Sequence, residues 1–190
     1  SAGDDLVFAG STRLTPNNDF PADTNFASIT FAAGGSGFVL SGNRIALTGA
    51  TINGGNRQQS INFDIVFAAT QSVNAASGDI VLCGVISGAG GVTKAGVHSL
   101  TLTGVNTFAG PMSINAGRVV VKGSTSTACA VTVNSGGSLE GNGTVAGTIQ
   151  VTNGGAISPG DGGPLIASFV ATSLRSVSED DWRLTQTRSE

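Results

Sequence analysis

The sequence predicts an all-β protein, and within that class a right-handed, single-stranded parallel β-helix, which is a solenoid. Three observations predict it: apolar and polar residues alternate in short runs, each run is closed by Gly, Asn or Ser, and one sequence element returns at a short interval. The first two are typical of half-buried strands joined by sharp turns. The third favours a solenoid, because a solenoid stacks similar units along one axis.

The alternating runs are short and occur throughout the chain before about residue 165. They lie at 29–31, 38–40, 45–47, 61–67, 100–102, 118–121 and 131–133. Alternation with a period of two sends successive side chains to opposite faces, so each run predicts a strand with one buried face. We expect Ile, Val, Leu and Phe inside and Ser, Thr and Asn outside.

The turns between these runs are rich in glycine. They contain Ser41-Gly42, Asn53-Gly54-Gly55, Ser77-Gly78, Ser87-Gly88, Gly90-Gly91, Ser135-Gly136-Gly137 and Asn153-Gly154-Gly155. Glycine adopts positive φ without steric cost, and asparagine does so more readily than most residues. We therefore expect Asn106, Asn115, Asn134 and Asn153 to be structural turn residues that accept left-handed geometry and bond to nearby backbone.

The repeat separates a solenoid from other all-β folds. Segments 113–119, 132–139 and 150–157 share the order apolar, polar, small, Gly, small, apolar, at an interval of 18 or 19 residues. Such coils stack their inward side chains into shared columns, and no coil buries its apolar face alone. The alternative fold is an antiparallel β-sandwich with Gly-rich hairpins, whose strands are usually longer and which has no reason to repeat at a fixed short period.

Composition limits the classes of function. The net charge is −3 and the nine Lys and Arg residues are scattered, so no basic stripe is available for nucleic acid. Cys83 and Cys129 are far apart in the sequence, and we expect buried free thiols, with a disulfide as the alternative. No apolar run is long enough for a membrane span, and the first residues are not those of a signal peptide. Membrane contact is expected only through parts of a parent protein that this sequence lacks.

One segment, 90–121, carries a longer and more specific motif. Its characteristic positions are Lys94, Gly96, Leu100, Leu102, Gly104, Asn106, Thr107, Phe108, Gly110, Ile114, Gly117 and Val119. This motif resembles the autotransporter-associated β-strand repeat, also called the passenger-associated transport repeat, although Pro111, Met112 and Arg118 depart from it. The resemblance implies a β-helical passenger of a large bacterial surface or secreted protein, with a role in export or in presenting other regions.

Residues that carry chemistry are scarce. His98 is the sole histidine, and Ser99 beside it is one serine among many, so a Ser–His catalytic unit is not favoured. The Gly-rich segment 88–91 has no following Gly-Lys-Ser/Thr and is interpreted as a turn rather than a phosphate loop. No dense Asp-x-Asp-Gly ladder indicates calcium.

A pair of carboxylates in a groove would indicate a glycosidase, and four acidic residues are the candidates for such a pair. They are Asp64, Asp79, Glu140 and Asp161. The sequence does not bring any two of them together, and we interpret them as solvated residues on strand faces. We predict no catalytic, cofactor-binding or metal-ligating residues and no cofactor.

The expected organisation is a β-helix passenger fragment at 1–163 and a C-terminal cap or irregular tail at 164–190. Within the tail, Ser178 precedes acidic residues in a pattern that can begin a short helix. The predicted function is a non-catalytic display segment, or stalk, of a secreted or surface-exposed passenger. The alternatives are a carbohydrate-binding or polysaccharide-hydrolysing β-helix and an adhesion module. The expected partners are a polysaccharide or a host or cell-surface ligand, no nucleic acid, and self-association through the ends of the β-helix.

Overall fold

The computed structural model describes residues 3–160 and 170–176. All regular secondary structure in these residues is β-strand. The strands, in chain order, are β1 (Asp5–Phe8), β2 (Asn17–Asn18), β3 (Thr24–Phe26), β4 (Ser28–Phe31), β5 (Val39–Gly42), β6 (Ile45–Leu47), β7 (Thr51–Asn53), β8 (Gln59–Ile61), β9 (Ile65–Phe67), β10 (Gln71–Ala75), β11 (Ile80–Leu82), β12 (Ile86–Ser87), β13 (Val92–Ala95), β14 (Ser99–Leu102), β15 (Met112–Ile114), β16 (Gly117–Val121), β17 (Ser124–Thr125), β18 (Val131–Val133), β19 (Gly137–Gly141), β20 (Thr144–Val151), β21 (Ala156–Pro159) and β22 (Val170–Ser176).

These strands form three sheets along a solenoid of about eight turns. The first sheet has the order β1-β4-β7-β10-β13-β15-β18-β20, with β17 and β22 also paired to β20. The second has the order β2-β5-β8-β11-β14-β16-β19-β21, and the third β3-β6-β9-β12. Every pairing between these named strands is parallel. The predicted parallel β-helix is confirmed, and the antiparallel sandwich is excluded for the described residues.

Inward side chains of neighbouring coils stack into columns, because parallel strands in register place equivalent residues one above another. On the first sheet one column runs Leu6, Ile29, Thr51, Val73, Lys94, Ile114, Val133 and Val151. On the third sheet Phe26, Leu47 and Phe67 align. Most of these side chains are fully buried, so the apolar interior runs continuously along the axis.

The length of a coil decreases along the chain. On the first sheet the interval between aligned residues is 23 between Leu6 and Ile29, 20 between Lys94 and Ile114, and 18 between Val133 and Val151. The interval of 18 or 19 residues that the sequence repeat predicts therefore applies to the last coils, and the earlier coils are longer.

The turn asparagines differ from the prediction in one respect. The positive φ values in their turns belong to Gly117, Gly136 and Gly154, and none of the four asparagines adopts one. The predicted bonds to backbone are made by Asn106, whereas Asn134 Nδ2 donates to another side chain, Asn115 Oδ1, at 2.8 Å on the outside of the first sheet. Glycine takes the left-handed positions because a Cβ is costly there.

The C-terminal region adds one strand to the first sheet. The strand Val170–Ser176 lies within the predicted cap and pairs in parallel with β20. The expected helix near Ser178 lies outside the described residues, and the boundary at 163/164 stays a prediction.

Both cysteines are free thiols, with Cys129 buried and Cys83 partly exposed. Among residues 3–160 and 170–176, no helix has the length and apolar character needed to cross a membrane.

Candidate functional site

His98 lies in the turn between β13 and β14, beside Asp79 of the preceding coil. Its Nδ1 is 3.9 Å from Asp79 Oδ1, and both side chains are 42% exposed. Ser99 is buried, and its Oγ accepts a hydrogen bond from Arg118 Nη2 at 2.9 Å. A serine nucleophile requires its hydroxyl to donate to a base such as imidazole. Ser99 Oγ lies beside a guanidinium and the imidazole of His98 lies beside Asp79, so among the described residues the two are not arranged as nucleophile and base, which favours a structural role for both.

The acidic side chains considered for a glycosidase bind backbone of the adjacent coil. Asp64 Oδ1 accepts the N–H of Val85, and Asp79 Oδ1 accepts the N–H of Ser99, each at 2.8 Å. Each aspartate directly precedes a strand rather than lying on a strand face. The predicted placement on strand faces was therefore wrong for both, whereas the prediction that they contact solvent holds, since Asp64 is exposed and Asp79 is partly exposed. Asp161 lies outside the described residues.

Glu140 is the most buried of these carboxylates, at 9% exposed. Ser138 Oγ donates to Glu140 Oε1 at 3.0 Å, and Arg118 Nη1 lies 3.6 Å from Glu140 Oε2. Asp79, Ser99, Arg118 and Glu140 thus form a polar row that crosses four coils on the outside of the second sheet. No group of three or more His, Cys, Asp or Glu side chains in the described ranges could hold a metal ion.

The repeat motif places two polar residues inside the β-helix, and the first is Lys94. Its side chain is fully buried in the inward column of the first sheet. Its Nζ donates to Ala95 O at 2.8 Å and Gly96 O at 2.7 Å, and to Ala116 O of the next coil at 3.0 Å. Burial lowers the pKa of Lys94 to about 8, and the negative charge of Asp79 partly offsets that decrease.

The second is Asn106, which is 2% exposed. Its Oδ1 accepts the N–H of Ile86 in the preceding coil at 2.9 Å. Its Nδ2 donates to Gly104 O at 2.9 Å and to Ser124 O of the following coil at 3.1 Å. This one side chain joins three consecutive coils, and its own buried amide group is fully paired by their backbone.

Sequence reasoning identified both residues as motif positions but did not predict their burial. A signal for Lys94 was present, since in the run Val92-Thr93-Lys94-Ala95 the alternation places Lys94 on the same face as the inward Val92. Lysine side chains usually face solvent, so the alternation alone does not predict that this one is buried. No comparable signal existed for Asn106, whose partners are backbone atoms distant in sequence.

A cavity of about 170 Å³ lies among the first coils. It is lined mainly by apolar side chains, including Leu6, Phe8, Phe20, Phe26 and Leu40. Phe20 is 44% exposed at this end of the β-helix. The cavity contains no cluster of groups with catalytic chemistry, and it is interpreted as an incompletely covered part of the interior.

The buried Lys94 predicts a specific dependence of stability on pH. Its pKa is about 8 in the folded state against 10.5 ordinarily, so above pH 8 the folded protein loses a proton that the unfolded chain keeps. The free energy of unfolding should therefore rise from pH 8 to 9, by at most about 1.4 kcal/mol. Burial also raises the pKa of Cys129 from 9.0 to about 12, which has the opposite sign and should cancel the rise above pH 9.

Urea unfolding of the wild type and of Lys94→Met at pH 7, 8, 9 and 10 tests this prediction. The variant should show no rise between pH 8 and 9 and should lose stability above pH 9, since it retains only the Cys129 contribution. A rise of equal size in both proteins would assign the pH dependence to another group.

Comparison with known proteins identifies similar segments in two curated proteins. The chain is 46% identical over 79 residues to the adhesin BmaC autotransporter of Brucella suis biovar 1, which is 41% of this chain and 2% of that protein. It is 39% identical over 77 residues to an extracellular serine protease of Serratia marcescens, which is 40% of this chain and 7% of that protein. The chain thus spans a small part of the relatives it matches. No protein-family model and no solved structure matches it.

The fold and these relatives agree with the motif at 90–121. A stack of parallel coils is the architecture that the resemblance implied, and both relatives are of the exported kind, one named an autotransporter and the other extracellular. The resemblance is confirmed: this chain is a β-solenoid that is similar, over about 40% of its length, to segments of an autotransporter adhesin and of an extracellular serine protease, which fits a passenger repeat and is consistent with a secreted or cell-surface location.

Proposed function

We propose that this chain is a non-catalytic stalk that spaces and presents other regions of a surface or secreted passenger. The observation that carries the proposal is the uninterrupted stack of parallel coils, with a continuous apolar interior and mostly short polar side chains outside. Such a stack is quasi-one-dimensional, so its length increases with the number of coils while its cross-section changes little. Asp64 and Asp79 bind backbone N–H groups and Ser99 binds Arg118, and these bonds also support a structural role.

The same architecture suits export. Each coil contacts only its neighbours, so a chain that emerges in an extended form can add one coil at a time to those already folded. The backbone bonds that a new coil needs are offered by the exposed edge of the last coil. We infer that coil-by-coil folding outside the membrane helps to draw the chain outward.

A coil deletion tests the stalk function directly. Thr51 aligns with Ile29, so removal of 29–50 deletes one coil and preserves the register. With the chain placed between a surface anchor and an epitope, this variant should still be displayed, and a fluorescent pair should report a span shorter by about 4.8 Å. Removal of 29–39, about half a coil, is the matched control and should abolish display. Equal display by both variants would contradict the proposal.

Adhesion is the second candidate, and the name of one relative, an adhesin autotransporter, supports it. A carbohydrate-active β-helix is the third. A glycan array, a reducing-sugar assay and a cell-binding assay on the purified chain distinguish these functions from a stalk. We expect no saturable binding and no turnover. Turnover that disappears in Glu140→Gln or His98→Ala would replace the stalk with an enzyme, and saturable cell binding would replace it with an adhesion module.

A further inference from the structure

We propose that residues 86–124 open as one cooperative unit. The geometry behind this proposal is the sharing of two buried polar side chains between coils. Lys94 donates to carbonyls of its own coil and of the next, and Asn106 bonds to the coil before, its own and the coil after. The proposal does not depend on what the stalk presents.

Shared buried groups make neighbouring coils interdependent. If the coil that carries Ala116 opens alone, the Lys94 ammonium remains inside the β-helix with one partner fewer, and a buried charge without full pairing is strongly unfavourable. If either neighbour of Asn106 opens alone, an amide group loses a partner in a region of low dielectric constant. Partial opening is therefore penalised, and the coils from Ile86 to Ser124 should separate together.

Each buried glutamine of the earlier coils joins fewer coils than Asn106 does. Gln59 binds Phe38 N and Ser36 O, and Gln71 binds Leu47 O, so each ties its coil only to the preceding one. The Oε1 of Gln71 has no hydrogen-bond partner in that part of the chain. The remaining coil–coil contacts are dispersion, ladder bonds and side-chain bonds such as Asn134 to Asn115 and Val85 to Asp64, each between neighbouring coils. Such contacts add nearest-neighbour terms and allow opening from an end.

Native-state hydrogen exchange in increasing urea tests the proposal on the intact chain. The reporters are the slow amides of β13 (Val92–Ala95), β14 (Ser99–Leu102) and β15 (Met112–Ile114). In the wild type, the free energies of opening of all three strands should follow one common curve against urea concentration. In Lys94→Met the amides of β15 should exchange at least tenfold faster than those of β13 at the same urea concentration, and in Asn106→Ala the three curves should also separate.

Matched controls replace exposed residues of the same kinds, Lys122→Met and Asn153→Ala, and should keep the common curve. Asn106→Ser, which shortens the side chain and keeps one uncharged polar group, is the second variant if Asn106→Ala does not fold. Separate opening curves in the wild type would overturn the proposal, and so would a common curve that survives in the Lys94 and Asn106 variants. Neither result bears on display, which the coil deletion measures independently.

Discussion

Replacement of Gly117 by alanine is expected to lower the free energy of unfolding by about 4 kcal/mol, whereas the same replacement at Gly136 should cost only about 1 kcal/mol. Both glycines have positive φ, 63° and 82°, so both variants carry the strain of a left-handed alanine. They differ in packing. A Cβ at Gly117 would lie 2.5 Å from Gly96 O and 2.7 Å from His98 O, whereas at Gly136 the nearest atom is 3.9 Å away.

The difference arises because Gly117 lies directly over the turn of the preceding coil. Backbone atoms of that turn cannot move without disturbing the carbonyl of Gly96, which binds Lys94. Thermal and urea unfolding of both variants measures the two costs, and the difference between them isolates the contact from the strain. Equal destabilisation of the two variants would show that the coils separate slightly to accept a methyl group.

Replacement of Phe108 by alanine should also have a large effect, and we expect it to lower the free energy of unfolding by about 3–5 kcal/mol. Phe108 is fully buried, and its ring centroid lies 6.3 Å from that of Phe67. The backbone on both sides is held by bonds from Thr107 N to Ile86 O and from Ala109 N to Gly88 O. The turn therefore cannot collapse to fill the space, and a cavity remains.

Phe20→Ala is the matched control for this prediction. Phe20 is 44% exposed and packs edge-on against Phe26, so its removal should cost about 1 kcal/mol. Urea unfolding with a common m-value measures both changes. A loss at Phe108 no larger than that at Phe20 would mean that the coils repack around the missing ring.

The architecture was predictable from the sequence because it depends on local patterns. Alternation in runs such as 45–47 and 131–133 identified the inward residues, and Gly-rich segments identified the turns, since a solenoid repeats the same short-range solution in every coil. The lengths of the first coils were not predictable, because their turns, unlike those at 132–139 and 150–157, share no clear repeated element.

The polar interior was less predictable, and the reason is physical. Lys94 is stable inside the β-helix only because a turn and the following coil direct three carbonyls at one point, and that convergence depends on tertiary geometry. The positive φ at Gly117 rather than at the nearby Asn115 follows from the same geometry, because the Gly117 position leaves no room for a Cβ. His98 and Asp79, and likewise Ser99 and Arg118, meet only because their coils are stacked.

The decrease in coil length has a consequence for how the chain finds its register. From Val73 onward, successive coils on the first sheet differ by one residue in length, as the aligned residues Val73, Lys94, Ile114, Val133 and Val151 show. A strand that paired with the wrong coil would be displaced by one position, and a displacement of one turns its buried side chains toward water. On the first sheet, the decrease therefore disfavours a pairing that is displaced by one coil.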